Sequence, residues 1–311
     1  MAYGSTRKRT YRKKASRSTR RYSAPSRSRR SYGKKRTYRK KASTRSLTNR
    51  MAKKKRDTYI SGSGEGTNPD PTSIVNAGAP FRILQGTTFG SQRVHGTIYN
   101  ASHRFLVPDN YSYTAARTAT STYVIGLSET YKLVPNNPDV WWHRRIVFSY
   151  KAAIGIPAIA QTMGVQNSPI ATTVRPFLDL SGTSDSNWAS VTTQVYGILF
   201  KGTLGVDWQD PMKAPLDRTR ANIHSDRFST IRSGNDSASP QIRKHYTRFG
   251  KTVMYDDIES GTTVEPSPFS VDSKRGTGNI FVFDMFHCPT NDDPDAGLEV
   301  SSSSTYYWHE K

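Results

Sequence analysis

Apolar and polar residues alternate over much of residues 81–311, which is the pattern of half-buried β-strands. This alternation, together with many β-branched and aromatic residues, predicts seven strands separated by turn-forming segments such as VPNNPD and SGNDSASP. The predicted strands are residues 81–89, 121–134, 140–150, 191–200, 221–231, 245–255 and 279–286.

The alternation also predicts which side chains share a face. In the second strand one face would carry Tyr123, Ile125, Leu127, Tyr131 and Leu133. The runs VYGILF and IFVF are apolar without a break, which is typical of central strands covered on both faces. No long segment has helical periodicity. Seven or eight strands without long helices predict an all-β sandwich or barrel, and a double-sheet jelly roll is a leading candidate.

The positive charge of the chain is concentrated at its N-terminus. Residues 1–56 contain 24 Lys and Arg and no acidic residue, whereas the whole chain has 46 basic and 24 acidic residues. Residues 57–311 therefore carry 22 basic and 24 acidic residues, a net charge of −2. Segment 1–56 has too few large apolar residues to form a core, so we expect a disordered arm that binds a polyanion.

The arm contains the peptide KRTYRKKAS twice, at residues 8–16 and 35–43. Its tyrosines can stack on unpaired bases while the cations around them neutralise phosphates without reading sequence. The residues predicted to bind nucleic acid here are Arg7, Lys8, Arg9, Tyr11, Arg12, Lys13, Lys14, Arg20, Arg21, Arg29, Arg30, Lys34, Lys35, Arg36, Tyr38, Arg39, Lys40 and Lys41.

Two basic clusters in the arm have the composition of nuclear-import signals. The predicted signal residues are Lys34, Lys35, Arg36, Arg39, Lys40 and Lys41 in the first cluster, and Lys53, Lys54, Lys55 and Arg56 in the second. Residues 57–80 are rich in Gly, Ser and Pro and are predicted to be a linker, which leaves 81–311 as the jelly-roll domain. No segment is long and apolar enough for a membrane span.

The chain contains few motifs that indicate catalysis or metal binding. FGKT at 249–252 resembles the end of a phosphate-binding loop but lacks the first glycine. Cys288 is the only cysteine, so we expect neither a disulfide nor a zinc site, and we predict no cofactor. The acidic segment NDDPD at 291–295 could bind a cation or be a solvated turn, and we favour the turn.

Trp141 and Trp142 precede His143 and the two arginines Arg144 and Arg145. Aromatic residues beside arginines are used to bind single-stranded nucleic acid, so both arginines are candidate contacts. The alternative is that the tryptophans pack in the sandwich and the arginines pair with carboxylates of the same domain. We favour packing for the tryptophans and leave both roles open for the arginines.

Several segments resemble those of genomovirus coat proteins, which are related to geminivirus coat proteins. They are WWHRRIVFSYK (141–151), LFKG (199–202), VDWQDPMKAPLDRTR (206–220), SDRFSTIRSGND (225–236), KTVMYDD (251–257) and the C-terminal GNIFVFDMFHCP and YYWHE. The resemblance implies an eight-stranded jelly roll, a small icosahedral T=1 shell of about sixty copies, packaging of circular single-stranded DNA, and entry into the host nucleus through import receptors.

Three other functions are compatible with parts of the sequence. A movement or nuclear shuttle protein of the same viral lineage would bind DNA without forming a shell. A ribosomal or other cellular RNA-binding protein would keep a basic surface on its folded part, whereas residues 57–311 sum to −2. An enzyme is disfavoured because the motif search finds no catalytic set.

Overall fold

In the computed structural model, the described residues are 44–69, 75–85, 94–107, 115–151, 154, 174–180, 186–234, 238–289 and 295–310. They belong to one compact unit, Thr44–Lys311. The helices are α1 (Thr44–Met51) and α2 (Ser186–Leu199). The strands are β1 (Lys53–Ser63), β2 (Asn76–Ala77), β3 (Phe81–Leu84), β4 (His95–Asn100), β5 (Ser121–Pro135), β6 (Val140–Tyr150), β7 (Val174–Phe177), β8 (Asn222–Arg232), β9 (Gln241–Met254), β10 (Ile258–Ser260), β11 (Thr263–Glu265), β12 (Asn279–His287) and β13 (Gly297–Glu310).

Eight of these strands form two antiparallel sheets. The first sheet has the order β1-β13-β5-β9, and the second has the order β4-β12-β6-β8. If the eight strands are numbered in chain order, the two sheets read 1-8-3-6 and 2-7-4-5, which is the double Greek key of a jelly roll. The predicted all-β, eight-stranded jelly roll is confirmed. Strands β2, β3 and β7 extend the first sheet, and β10 and β11 form a separate hairpin.

The second sheet is covered on both of its faces. Its inner face packs against the first sheet through residues such as Val147 and Val282 of one sheet and Leu127 of the other. Its outer face packs against α2, where Ile146 and Phe283 lie in the same apolar cluster as residues of the helix. All nine residues of β12 are consequently buried, as the unbroken run IFVF predicts.

Residues 191–199 belong to helix α2, and the prediction of a strand over 191–200 is wrong. Val191, Val195, Ile198 and Leu199 are spaced so that one helical face carries all four, and this face is buried in the cluster on the second sheet. Burial of that face outweighs the preference of its β-branched residues for strands, which is at most about 1 kcal/mol per residue. Helix periodicity was therefore present but was obscured by residue type.

The N-terminal boundary of the folded unit also differs from the prediction. Strand β1 begins at Lys53, inside the segment assigned to the arm, and continues to Ser63, inside the segment assigned to the linker. It pairs with the end of β13, from Lys53 opposite Glu310 to Ile60 opposite Ser303. The first sheet needs this strand as the partner of β13, so the boundaries at 56 and 57 are corrected to lie before Lys53.

A β-bulge changes which residues of β5 face the core. The pairing of β5 with β9 shifts register between Val124 and Gly126, so Ile125 is the extra residue. The pairing of β5 with β13 shifts at the same place, between Tyr307 and Trp308 of β13. As a result Leu127 is buried whereas Tyr123 and Ile125 are not fully buried. The predicted common face for these three residues is wrong because one extra residue reverses the alternation.

Candidate nucleic-acid interface

Most of the predicted nucleic-acid contacts, from Arg7 to Lys41, lie outside the described residues. So does the first import cluster, Lys34 to Lys41. These assignments stay predictions.

The structure does not place Arg144 and Arg145 where a nucleic-acid contact needs them. Arg144 is buried under the α2 side of the second sheet, where it pairs with Asp226 at 2.9 Å and donates to the carbonyl oxygens of Pro211 and Ala214. Arg145 is buried between the two sheets, where it pairs with Glu129. Their pairing with carboxylates of the same domain is the alternative left open above, and we correct their assignment accordingly. Trp141 is fully buried and Trp142 is partly buried against the core, as favoured.

Arg145 belongs to a network of ion pairs in the centre of the sandwich that the sequence did not reveal. Arg175 of β7 bridges Glu129 of β5, at 2.7 Å, and Asp284 of β12. His143 bonds to the other oxygen of Asp284 at 2.7 Å. Burial acts to raise the pKa of Asp284, but Arg175, His143 and Arg145 outweigh it and hold that pKa well below its usual value. The network therefore ties both sheets together rather than serving a ligand.

The second import cluster, Lys53 to Arg56, is part of a strand and not of an extended arm. Its members alternate, so Lys54 and Arg56 are exposed while Lys55 is buried. The ammonium group of Lys55 pairs with Glu310 at 2.8 Å and donates to the carbonyl oxygen of Ala116 at 2.6 Å. In the folded protein this cluster cannot be presented to a receptor as four free side chains, which corrects the prediction for Lys55.

The outer face of the first sheet brings basic and aromatic residues together. Residues opposite one another on neighbouring antiparallel strands point to the same side, so the strand register defines rows across this face. One row contains Arg56, Tyr307, Gly126 and Arg248. We call the exposed or partly exposed charged and aromatic residues of these rows the basic face: Lys54, Arg56, Tyr123, Lys132, Lys244, Tyr246, Arg248, Tyr307 and His309.

The charge of the basic face is almost entirely of one sign. On the outer face of strands β1, β13, β5 and β9, one acidic side chain points outward: Glu299, at the N-terminal end of β13. Glu299 is itself paired with Arg82 of β3 at 2.8 Å. Burial and the neighbouring Lys54 lower the pKa of His309, so its imidazole is neutral at pH 7. The face therefore combines five cations with neutral aromatic rings, which suits a polyanion.

A shallow groove crosses the basic face at the bulge of β5. Its walls include Lys54, Ile125, Tyr246, Tyr307 and His309. A Cβ atom at Gly126 would lie 2.5 Å from the hydroxyl oxygen of Tyr246, so glycine is what lets this ring extend over β5. Sequence alone could have indicated part of the face, because Ile242, Lys244, Tyr246 and Arg248 alternate with buried residues along β9.

The remaining sequence motifs do not form a further site. FGKT lies within β9, where it continues the strand. Among the described residues no group of three or more His, Cys, Asp or Glu side chains could hold a metal ion. Most of the NDDPD segment lies outside the described residues. Among the residues that the structure describes, no helix is long and apolar enough to cross a membrane.

Comparison with known proteins identifies no family for this chain. No family model matches it, and no curated protein does so. VP1 of Trichodysplasia spinulosa-associated polyomavirus aligns with 8% identity over 82% of this chain and 95% of VP1, with a TM-score of 0.13. The unassembled VP1 pentamer of KI polyomavirus aligns with 8% identity over 81% of this chain and 75% of that chain, with a TM-score of 0.09. Likenesses this weak support no statement about function, and the resemblance to genomovirus coat proteins stays a prediction from the segments quoted above.

Proposed function

We propose that this chain is a structural capsid protein. Copies of it would assemble into a small icosahedral T=1 shell and package circular single-stranded DNA through the basic N-terminal arm. The observation that carries the proposal is the separation of charge within the chain, since 24 cations precede Asp57 and the remaining residues have a net charge of −2.

This separation fits the two tasks of a shell protein. A nearly neutral jelly roll can pack beside identical copies without accumulating repulsion. The arm as corrected, residues 1–52, contains 20 cations, so about sixty arms would bring roughly 1,200 positive charges to the packaged genome, and each phosphate that they neutralise releases a counterion.

The position of the arm's attachment supports the same assignment. The chain enters the first sheet at Lys53, and the exposed Lys54 and Arg56 of that strand lie on the basic face. In the proposed shell this face would be turned toward the genome, and the opposite side of the sandwich, covered by α2, would be turned away from it. Import into the host nucleus is assigned to the cluster Lys34 to Lys41, because Lys55 of the second cluster is buried.

Electron microscopy of the purified full-length protein, with extraction of the nucleic acid that copurifies, tests the proposal. Closed particles of uniform diameter that protect single-stranded DNA from nuclease are expected. Soluble oligomers that bind DNA without enclosing it would instead favour a nuclear shuttle protein.

A further inference from the structure

The basic face contains more than charge, because aromatic side chains lie at its centre. Tyr246 lies on β9, the strand at the edge of the first sheet, and is 50% exposed. Its ring extends over Gly126, where both its hydroxyl oxygen and its ζ carbon lie within 2.7 Å of the position that a Cβ atom would occupy. The sheet therefore supports one side of the ring and leaves the other available.

A second tyrosine borders the same groove. Tyr307 of β13 is paired with Gly126, and Tyr246 belongs to the neighbouring row, opposite Ser128. The two rings thus flank the one position of β5 that has no side chain, and both contribute to the wall of the groove. Cations lie at both sides of it, with Lys54 and Arg56 on β1 and Lys244 and Arg248 on β9.

Aromatic rings on an exposed, positively charged sheet are suited to unpaired bases. A base in a single strand has a free face that can stack on a tyrosine, whereas a base in a duplex is stacked on its neighbours. Stacking also does not depend on base identity, so such a site would hold single strands of any sequence. An acidic peptide would satisfy the cations but would leave the rings without a role.

We propose that the groove between Tyr246 and Tyr307 is a binding site for unpaired nucleobases, with Lys54, Arg56, Lys244 and Arg248 contacting the phosphates on either side. The jelly roll would then hold single-stranded nucleic acid by stacking, in addition to the charge-driven binding by the arm. The inference rests on one part of the proposed function, that single-stranded nucleic acid is the partner, and it does not require a closed shell.

The test compares two oligonucleotides of equal length and charge, oligo-dT and the same backbone with abasic sites in place of the bases. The arm contributes the same phosphate contacts, and the same stacking by its own tyrosines, in every variant, so the change in the ratio of the two affinities between the wild-type chain and a groove variant reports on stacking in the groove. In fluorescence anisotropy titrations at matched salt, we expect the ratio to fall at least about fivefold in Tyr246→Ala and to be kept in Tyr246→Phe. Phe228→Ala serves as the control, since Phe228 is 52% exposed on the other sheet.

Three results would overturn the inference. They are equal affinity of the wild-type chain for both oligonucleotides, an unchanged ratio in Tyr246→Ala, and displacement of oligo-dT by polyglutamate as effectively as by unlabelled oligo-dT. None of them bears on particle formation, so the stacking site can fail while the capsid proposal stands. Conversely, the protein could fail to form DNA-containing particles while the affinity ratio changes as expected, and the capsid proposal would then fail while the stacking site stands.

Discussion

The pairing of Lys55 with Glu310 allows the corrected N-terminal boundary to be tested by one substitution. Lys55→Met removes the cation but keeps most of the apolar length of the side chain. Both residues are buried, and the Lys55 ammonium group has three partners within 2.8 Å: Glu310, the carbonyl oxygen of Ala116 and the hydroxyl of Thr118. Removing one member of a buried pair costs about 3–5 kcal/mol because the other charge stays buried.

Glu310 keeps three other donors, the Thr118 hydroxyl at 2.6 Å, the Trp308 indole at 2.8 Å and the Thr118 backbone N–H at 3.2 Å, so we expect the lower end of this range. At about 3 kcal/mol, the urea midpoint of the unassembled protein would fall by roughly 1–2 M. Lys54→Met is the matched control, since Lys54 is the exposed neighbour in the same strand and should shift the midpoint little. The midpoint is read from the far-ultraviolet circular dichroism of the strands.

The same reasoning predicts different results for two truncations. A chain lacking residues 1–51 keeps all of β1 and should retain the wild-type midpoint. A chain lacking residues 1–56 loses the first four residues of that strand, and Lys55 is one of them. Equal urea midpoints for the two truncations, or for Lys55→Met and Lys54→Met, would refute the pairing and restore the boundary at 56.

Further predictions concern the core network, acid stability and the arm. Arg175→Met should destabilise the fold by about 3–5 kcal/mol in urea denaturation, because it leaves Glu129 and Asp284 buried with fewer partners. Arg82→Met, which breaks an exposed pair, should cost at most about 1 kcal/mol. Burial is the main cause that lowers the pKa of His103 and that of His245, each to about 4, so both are neutral in the fold at pH 7. Unfolded histidines take up protons below about pH 6.5, and stability should therefore fall as the pH drops from about 6.5 to 4, by up to roughly 3 kcal/mol for His103 and by less for His245, whose charge solvent screens more. Replacing either one with Gln should flatten that part of a pH series of melting curves. The affinity of the full-length protein for single-stranded DNA should fall steeply between low and physiological salt, and a flat dependence would contradict binding through phosphates.

The sequence predicted those parts of the fold whose signal is local. The strands β6, β8 and β12 were found within about one residue, because each contains β-branched and aromatic residues and is separated from the next strand by turn-forming segments. Strand β13 was missed because SSSST has no apolar alternation, although Tyr306 and Trp308 of the same strand point inward. The KKKR segment was assigned to the arm because a run of charged residues is typical of solvent-exposed chain. Lys55 is buried because it pairs with Glu310, which lies more than 250 positions away in the sequence.

Beyond the residues of β9, the basic face could not be derived from the sequence, because its residues are also far apart along the chain. Its central row joins Arg56, Tyr307, Gly126 and Arg248, which come from four strands and meet only through the strand register. The roles of Arg144 and Arg145 depended on which carboxylates the fold places beside them. By contrast, the division of charge between arm and domain needs no structure, since it follows from composition.

The measurement that tests the central claim most directly is the DNA content of assembled particles with and without the arm. Two proteins are compared: the full-length chain and a chain lacking residues 1–43, a deletion that stops just before α1 begins at Thr44. Each is assembled with circular single-stranded DNA and treated with nuclease, and the protected DNA per particle is measured. The account predicts closed particles from both chains, with most of the protected DNA lost when the arm is removed. Equal amounts of protected DNA in the two kinds of particle would contradict it.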